Sequence, residues 1–305
     1  MKANLEFMLP SRNQVELTCP AKINLSLAVL GKRADGFHDL HSVVAQTAFG
    51  DDLCVDWDPD DHREDSITIM GADLESKSNT VWRALEVFRQ AANLHNGAFT
   101  INLTKRIPMG AGLGGGSSNA TGLFRALQGL FPDLSQELDW PGMAGQVGSD
   151  CPLFLHPHPV VMEGRGERIQ FLGAKMANRI ASQPVILFKP AFSTPTGEAY
   201  QRLASGGFYR AMGEAEKDMR AWEDSSEMLP PRWNDFERLV EDWLPSLAVV
   251  LARLRNVHGF DARMSGSGSA CFVFAKDSTF AMKKVQEELS TAWGRAFWIV
   301  KTAIN

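Results

Sequence analysis

The chain has 305 residues, of which 44% are hydrophobic and 22% are charged, and its formal net charge is -5. This length exceeds what one hydrophobic core usually serves, so two domains are expected, and the composition argues against extensive disorder. The negative net charge gives no sign of the basic surface that a nucleic-acid binder needs. The four cysteines are widely spaced and form no CxxC pair, which argues against a zinc site or a disulfide framework.

The N-terminal part of the chain predicts a series of short strands. Residues 14–30, QVELTCPAKINLSLAVL, alternate and are rich in Val, Leu and Ile, which predicts two strands separated at Pro20. A turn with two glycines follows at 31–38. Three further short strands are predicted over VVAQTAFG, LCVDW and SITIM.

The middle of the chain combines helices with a glycine-rich loop. Ser78 or Asn79 can cap a helix from Thr80 to about Ala92, whose apolar residues recur at helical spacing. AFTINLTKRIP predicts a strand that ends at Pro108. The glycine loop comes next, and a helix from about Ser118 to Leu130 follows it.

The next elements alternate between helix, hairpin and strand. A helix is predicted over about 140–146, and HPHPVVMEGRGERIQFL predicts a hairpin that turns at Gly164–Glu167. PVILFKP at 184–190 predicts a buried strand. Residues 205–255 are predicted to be helical, with a break at Pro230–Pro231.

The C-terminal part completes a mixed pattern. FDARMSGSGSACFVFA predicts a strand, a glycine loop and a strand, and a helix over about 278–292 precedes a last strand, AFWIVKTAI. Strands and helices in both halves of the chain indicate an α+β protein. Composition shifts near 173–183, which predicts an N-terminal domain over 1–178 and a C-terminal domain over 179–305.

The loop at 110–118 carries the strongest local signal. Five of its first seven residues are glycine, which is costly in backbone entropy unless the backbone approaches a ligand closely or adopts positive φ. The helix that follows points its free N–H groups and its positive dipole end into the loop. The segment therefore predicts a phosphate site to which Ser117 and Ser118 add hydroxyl groups; the alternative is a flexible surface turn.

A dinucleotide-binding fold is disfavoured, although Gly110, Gly112 and Gly115 satisfy G-x-G-x-x-G. The preceding strand alternates and ends in Lys105-Arg106, whereas the central strand of a doubly wound sheet is apolar on both faces. Neither the Walker form GxxxxGK[ST] nor the HRD and DFG elements of protein kinases occur in the chain.

Two charged side chains are candidates for catalysis. Lys22 in PAKIN lies within a strand that is otherwise predicted to be buried, so it needs an anion unless it reaches water at the strand edge. Asp150 in GSDCP sits among small and apolar residues and could accept the proton of an attacking hydroxyl; the alternative is a turn or a helix cap. A second glycine–serine loop, Met264–Ala270, could supply backbone donors or a close domain contact, or be an ordinary connection.

These segments, in this order, resemble the motifs of the GHMP kinase superfamily. PAKIN matches the first motif, IPMGAGLGGGSSNA the second and MSGSGSACFVF the third, and together they run across nearly the whole chain. The resemblance implies a two-domain fold with the active site in the cleft between the domains, ATP as the phosphoryl donor and Mg²⁺ with the nucleotide. Within the superfamily, GKRADGFHDLHSV, VGSDCPLFL and GRGE are similar to the branch that phosphorylates an alcohol linked to cytidine diphosphate.

The resemblance also implies roles for single residues. Lys22 and Asp150 correspond to the catalytic pair, in which the aspartate takes the proton of the substrate hydroxyl and the lysine stabilises the transferring phosphoryl group. The substrate-binding positions are Asn24, Phe37, His38 and Tyr200, with Phe37 and Tyr200 stacking on the cytosine. Phe37 stands where tyrosine is commoner. The ATP-binding positions are Gly110, Ala111, Gly112, Leu113, Gly114, Gly115, Gly116, Ser117 and Ser118 in the loop, with Asn79 and Lys105 near the adenine.

Several questions stay open at this point. Another GHMP kinase, acting on homoserine, mevalonate, phosphomevalonate or a sugar, would share the three motifs, and a nucleotide sensor would share the loop. The protein ligand of the metal is not evident: Ser117 or Ser118 could serve, or phosphates and water could hold the ion. We expect a cytoplasmic protein with a small-molecule substrate and without a signal peptide, a membrane span or a nucleic-acid partner. The sequence does not indicate the oligomeric state or the role of residues 205–235.

Overall fold

The computed structural model describes residues 14–74, 76–274 and 277–305. Contacts between residues divide the described chain into two compact units, each assembled from several stretches. The first unit comprises the described residues up to Pro20, Gly50–Ile107 and Gly115–Leu155; the second comprises Ala21–Phe49, Pro108–Gly114 and the described residues from His156 to Asn305. The predicted domains, 1–178 and 179–305, are each one continuous stretch of chain, whereas each compact unit combines several stretches. The predicted cleft between domains stays a prediction.

Ten strands lie within the described residues. They are β1 (Gln14–Lys32), β2 (His38–Asp58), β3 (Ser66–Met70), β4 (Ala98–Thr104), β5 (Val160–Gly164), β6 (Arg168–Phe171), β7 (Pro184–Pro190), β8 (Asp261–Met264), β9 (Cys271–Phe274) and β10 (Phe297–Ala303). The prediction of β7 is confirmed at both ends, and so is the β5–β6 hairpin with its turn after Gly164.

Nine α-helices accompany these strands in the described chain. They are α1 (Thr80–Ala91), α2 (Gly115–Leu130), α3 (Trp140–Val147), α4 (Ala174–Ile180), α5 (Thr196–Ser205), α6 (Met212–Asp224), α7 (Val240–Trp243), α8 (Pro245–Asn256) and α9 (Ser278–Trp293). The predicted α+β character is confirmed, and no helix occupies the predicted break at Pro230–Pro231. Within the described ranges, none of the helices has the length and apolar character that a membrane span requires.

The core of the first unit lies between strands and three helices. The end of β2 pairs antiparallel with β4, where Leu53 stands opposite Leu103, and β3 joins β4 in parallel. Because Val81, Leu85 and Phe88 recur at helical spacing, α1 turns one apolar face inward, and all three belong to the buried cluster that contains Leu53 and Leu103. Helices α2 and α3 pack against α1 and add their own apolar faces.

The second unit contains the first part of β2, the part of β1 from Ala21 onward, and β5 to β10. That part of β2 pairs antiparallel with β5, and β5 with β6. A further antiparallel sheet has the order β10-β7-β9-β8, in which Phe188 of β7 stands between Ile299 of β10 and Cys271 of β9. Helices α8 and α9 pack on each other, and their buried faces include Leu254 and Leu289.

Two predicted interruptions of the first strands do not occur. β1 continues through Pro20, since the fixed φ of proline lies within the extended region. β2 continues through Gly50 and Asp51, where a side chain at Gly50 would collide with the carbonyl oxygen of Cys19. The predicted separation of VVAQTAFG from LCVDW was wrong because Gly50 allows two backbones to approach each other instead of making a turn.

The helix after the glycine loop begins at Gly115 instead of Ser118. Gly115, Gly116 and Ser117 therefore belong to its first turn, and the free N–H groups of that turn come from the glycine-rich segment itself. The three glycines with positive φ in this region, Gly110, Gly112 and Gly114, all precede the helix.

Candidate active site

Lys22 and Asn24 share one face of β1 because side chains two residues apart point the same way along a strand. Both are almost fully buried. The Lys22 ammonium donates to Asn24 Oδ1 at 2.6 Å, and Asn24 Nδ2 donates to Ser42 Oγ at 2.9 Å. Ser42 in turn donates to the carbonyl oxygen of Ser26 at 2.6 Å. This chain of hydrogen bonds fixes the position of the lysine.

The first and second motifs meet within the second unit. The backbone N–H of Lys22 donates to the carbonyl oxygen of Leu113 at 2.9 Å. This bond ties β1 directly to the glycine loop at the position of the candidate catalytic lysine.

The third motif joins the other two through one hydroxyl. Ser265 Oγ accepts the backbone N–H of Asn24 at 3.2 Å and donates to the carbonyl oxygen of Gly112 at 3.1 Å. Nearby, the N–H of Ala270 donates to the carbonyl oxygen of Ala111 at 3.1 Å. Three segments that are far apart in the sequence thus form one hydrogen-bonded junction, to which we refer as the motif junction.

Gly112 has no room for a side chain in this junction. Its φ is +78°, and a Cβ atom there would lie 2.5 Å from the backbone oxygen of Ser265. Glycine, which has no Cβ atom, is the residue that accommodates both the positive φ and the close approach to the backbone of Ser265.

The start of α2 belongs to the first unit. The hydroxyl of Thr80 donates to the carbonyl oxygen of Gly116 at 2.7 Å. The first turn of α2 contains no acidic side chain. Ser118 Oγ is buried and has no hydrogen-bond partner among the described residues. The side chain of Ser117 hydrogen-bonds to the thiol of Cys151.

The two residues predicted near the adenine have structural roles in the same unit. Asn79 caps α1, where its Oδ1 accepts the N–H groups of Val81 and Trp82 at 2.8 and 3.0 Å. Lys105 is buried and pairs with the fully buried Asp51. Their part in ATP binding stays a prediction.

Asp150 lies in the turn that follows α3 and is partly buried. The next residue, Cys151, accepts the hydroxyl of Thr121 at its carbonyl oxygen at 2.8 Å, which anchors this turn to α2. Burial raises the pKa of the Cys151 thiol to about 11, and the negative charge of Asp150 adds to that increase. Lys22 and Asp150 belong to different units, so their pairing stays a prediction.

The predicted base-binding residues lie in the second unit. Phe37 is 51% exposed, and the guanidinium of Arg165 lies over its ring at 4.8 Å from the centroid. The ring of His38 stacks on Tyr200 with centroids 4.6 Å apart, and the hydroxyl of Tyr209 lies 3.4 Å from His38 Nε2. Burial lowers the pKa of His38, and the charge of Lys32 lowers it further, so the imidazole is neutral near pH 7.

Comparison with known proteins identifies the family. Residues 79–156 match the family model "GHMP kinases N terminal domain", and residues 210–295 match "GHMP kinases C terminal". The chain is 34% identical over 283 residues to a 4-diphosphocytidyl-2-C-methyl-D-erythritol kinase of Thermus thermophilus, covering 93% of this chain and 95% of that protein. The chain belongs to the GHMP kinase family. It is thus an ATP-dependent small-molecule kinase, as its motifs predict.

Solved structures support this assignment. The crystal structure of a 4-(cytidine 5'-diphospho)-2C-methyl-D-erythritol kinase, 33% identical, aligns with a TM-score of 0.73 over 95% of this chain and 99% of that one. A homoserine kinase from Cytophaga hutchinsonii, 16% identical, aligns with a TM-score of 0.71 over 99% of this chain and 98% of that one, which shows the shared fold. The predicted two-domain GHMP kinase fold is confirmed.

Three residues that hydrogen-bond to candidate site residues were not selected from the sequence. Ser265 lies in a motif that was recognised, but nothing in the pattern marks its hydroxyl as the link between motifs. Asp51 was assigned to a break between strands, although an aspartate inside a long apolar run signals a buried, hydrogen-bonded carboxylate. Tyr209 lies in a segment that was predicted to be helical, but the structure places it between α5 and α6, and only the fold brings it to His38.

Proposed function

We propose that this chain transfers the γ-phosphoryl group of ATP to the 2-hydroxyl of 4-diphosphocytidyl-2-C-methyl-D-erythritol, a step of non-mevalonate isoprenoid biosynthesis. The Thermus relative carries this kinase name and matches over nearly its full length. The structural observation that supports the proposal is the motif junction, which holds Lys22 and Asn24 against the glycine loop. The four unpaired cysteines support a reducing, cytoplasmic location as part of the proposal.

Asp150 is the proposed base. Its carboxylate takes the proton of the substrate hydroxyl while that oxygen attacks the γ-phosphorus, and the bond from the γ-phosphorus to the β–γ bridging oxygen breaks to release ADP. Lys22 supplies a positive charge to the transferring phosphoryl group. Because Asn24, which is itself held by Ser42, already binds this ammonium, little reorganisation accompanies the reaction.

The glycine loop and the first turn of α2 are the proposed phosphate site. Backbone N–H groups can approach the phosphates here because Gly110, Gly112 and Gly114 have positive φ and no side chains. The positive end of the α2 dipole favours the negative charge, and the absence of an acidic side chain in its first turn keeps that end unopposed.

Mg²⁺ is proposed to bind with the nucleotide. The buried Ser118 hydroxyl, which lacks a partner among the described residues, fits an oxygen ligand for this ion, whereas Ser117 already contacts Cys151. When bound, the ion neutralises charge on the phosphates.

The cytidine end of the substrate is proposed to bind at Phe37 and His38. The exposed ring of Phe37 offers a stacking surface, with Arg165 covering part of it. The neutral imidazole of His38 has one donor and one acceptor with which to recognise the edge of the base. Tyr200, whose ring stacks on His38, is the proposed second stacking aromatic for the cytosine, and Asn24 completes the proposed set.

A panel of separate substrate assays tests this proposal. The enzyme would receive ATP with Mg²⁺ and one alcohol at a time: the cytidyl substrate, its uridyl analogue, homoserine, mevalonate or phosphomevalonate. We expect ADP release with the cytidyl substrate and at least tenfold lower kcat/KM with the others, since polar groups matched to a base reject a mismatched one. Faster release with mevalonate or homoserine would contradict the substrate and leave the kinase assignment intact.

A further inference from the structure

A buried carboxylate outside the predicted site holds both ends of the glycine loop. Asp51 of β2 is fully buried, and its Oδ1 accepts the N–H groups of Arg106 and Ile107 at 2.6 and 2.7 Å. Its Oδ2 accepts from Asn119 Nδ2 at 2.8 Å and from the ammonium of Lys105. Residues 105–107 lead into the loop, and Asn119 lies in α2, which follows it. One side chain therefore fixes the segments on either side of the loop.

The network around this carboxylate is complete. The Lys105 ammonium also donates to Asn119 Oδ1 at 2.7 Å, which closes a ring of three side chains. A buried carboxylate is stable only when charge and hydrogen bonds compensate it, and here one ammonium, one amide and two backbone N–H groups do so. A fully satisfied buried network of this kind makes the local structure rigid.

The start of α2 packs directly on the segment that Asp51 holds. A Cβ atom at Gly115 would lie 3.1 Å from Ile107 Cγ2 and 3.2 Å from the Lys105 ammonium. Lys105 and Ile107 therefore pack closely against the first turn of α2, whose N–H groups form part of the proposed phosphate site.

We infer that Asp51 is a positioning residue for the phosphates of ATP. It acts through Lys105, Ile107 and Asn119, which set where the first turn of α2 stands. This inference rests on the proposed function, because it takes the glycine loop and the start of α2 as the phosphate site. A purely structural role would change the stability of the fold and leave nucleotide affinity unchanged.

Nucleotide binding to the full chain tests the inference without the alcohol substrate. Asp51→Asn keeps the size of the side chain and removes its charge, and we expect Mg-ATP measured by titration calorimetry to bind roughly 10- to 100-fold more weakly. The matched control is Asp52→Asn, the same change one residue further on, where the carboxylate is half exposed and pairs with Arg106 at the surface. We expect that control to bind Mg-ATP within about twofold of wild type.

Two further variants separate positioning from folding. In Asp51→Asn combined with Asn119→Asp, the carboxylate and the amide exchange places within reach of Lys105, and we expect the affinity for Mg-ATP to recover in part. If Asp51→Asn does not fold, Asn119→Ala removes the hydrogen bonds of α2 with Asp51 and Lys105, leaves those of Asp51 with residues 105–107 in place, and should still weaken binding severalfold.

The possible results have distinct meanings. Folded Asp51→Asn with wild-type affinity, or a lowered Tm as its sole effect, would contradict the inference and leave the proposed function standing. For a chain in which Asp51→Asn does not fold, wild-type affinity in Asn119→Ala would contradict it in the same way. A wild-type chain that binds no Mg-ATP would contradict both.

Discussion

Lys22 is a buried lysine whose ammonium hydrogen-bonds to a side-chain amide, that of Asn24, at 2.6 Å. The amide is held in turn by Ser42, so the cation has one defined position before any ligand binds. A cation fixed in this way stabilises charge that develops in a transition state at little reorganisation cost. The proposed chemistry therefore depends on the polar side chains that hold Lys22 as much as on the lysine itself.

Asp150→Asn should separate chemistry from binding. We expect turnover to fall by a factor on the order of 10²–10⁴, because an amide cannot accept the substrate proton, with ATP affinity nearly unchanged. Single-turnover kinetics and calorimetry measure the two effects. Asp133→Asn, at an exposed aspartate of the same unit, is the control and should keep full activity. Turnover of Asp150→Asn within about threefold of wild type would remove Asp150 from the mechanism.

Phe37 and His38 should affect substrate binding in different ways. Phe37→Ala removes one stacking surface worth about 1–3 kcal/mol, which raises KM for the cytidyl substrate roughly 5- to 150-fold and leaves most of the preference for cytidine over uridine. His38→Ala should erode that preference, because it removes polar groups that recognise the edge of the base.

Phe171→Ala is the matched control for Phe37, since both are exposed phenylalanines of the second unit. It should leave KM unchanged. A Phe37→Ala variant with a lowered Tm and the wild-type KM would instead make Phe37 a packing residue.

At the level of elements, the glycine loop combines two kinds of glycine. Gly110, Gly112 and Gly114 have positive φ, whereas Gly115 begins α2 and is restricted by the side chains of Ile107 and Lys105. Gly115 does not have positive φ, and the two side chains beside it leave little room for a Cβ atom.

Gly112→Ala should weaken the motif junction. The left-handed backbone and the 2.5 Å approach to the Ser265 oxygen predict a loss of about 1–3 kcal/mol in the free energy of unfolding. Chemical denaturation measures this loss. Gly213→Ala is the control, because Gly213 lies in α6 with nothing within 4 Å of an added Cβ atom. Equal stability of the two variants would show that the loop can adapt to a side chain.

Local pattern predicts elements better than it predicts their continuity. β7, β4 and the β5–β6 hairpin follow from alternation and turn residues within their own segments. The length of β2 does not, because the reason it continues through Gly50 is the backbone of Cys19, which is distant in the sequence. Asp51 was missed for the same reason: its four hydrogen-bond donors come from two other parts of the chain.

At the level of the whole molecule, the family was recognisable from three motifs whose order and spacing span the chain. Their physical connection through Ser265 is a property of the fold of the second unit and could not be derived from the residues alone. The two compact units are each assembled from separated stretches, so a single boundary along the sequence does not describe them. The roles of the individual site residues remain predictions that the variants above test.

The central claim is phosphoryl transfer from ATP to the 2-hydroxyl of the cytidyl substrate, and ³¹P NMR of the reaction mixture tests it most directly. We predict a new phosphomonoester signal that grows in step with ADP, beside the two retained diphosphate signals, with coupling to the carbon that bears the 2-hydroxyl. The signal should be absent with Asp150→Asn over the same time. Phosphate on a different hydroxyl, or ADP formed without any such signal, would contradict the claim.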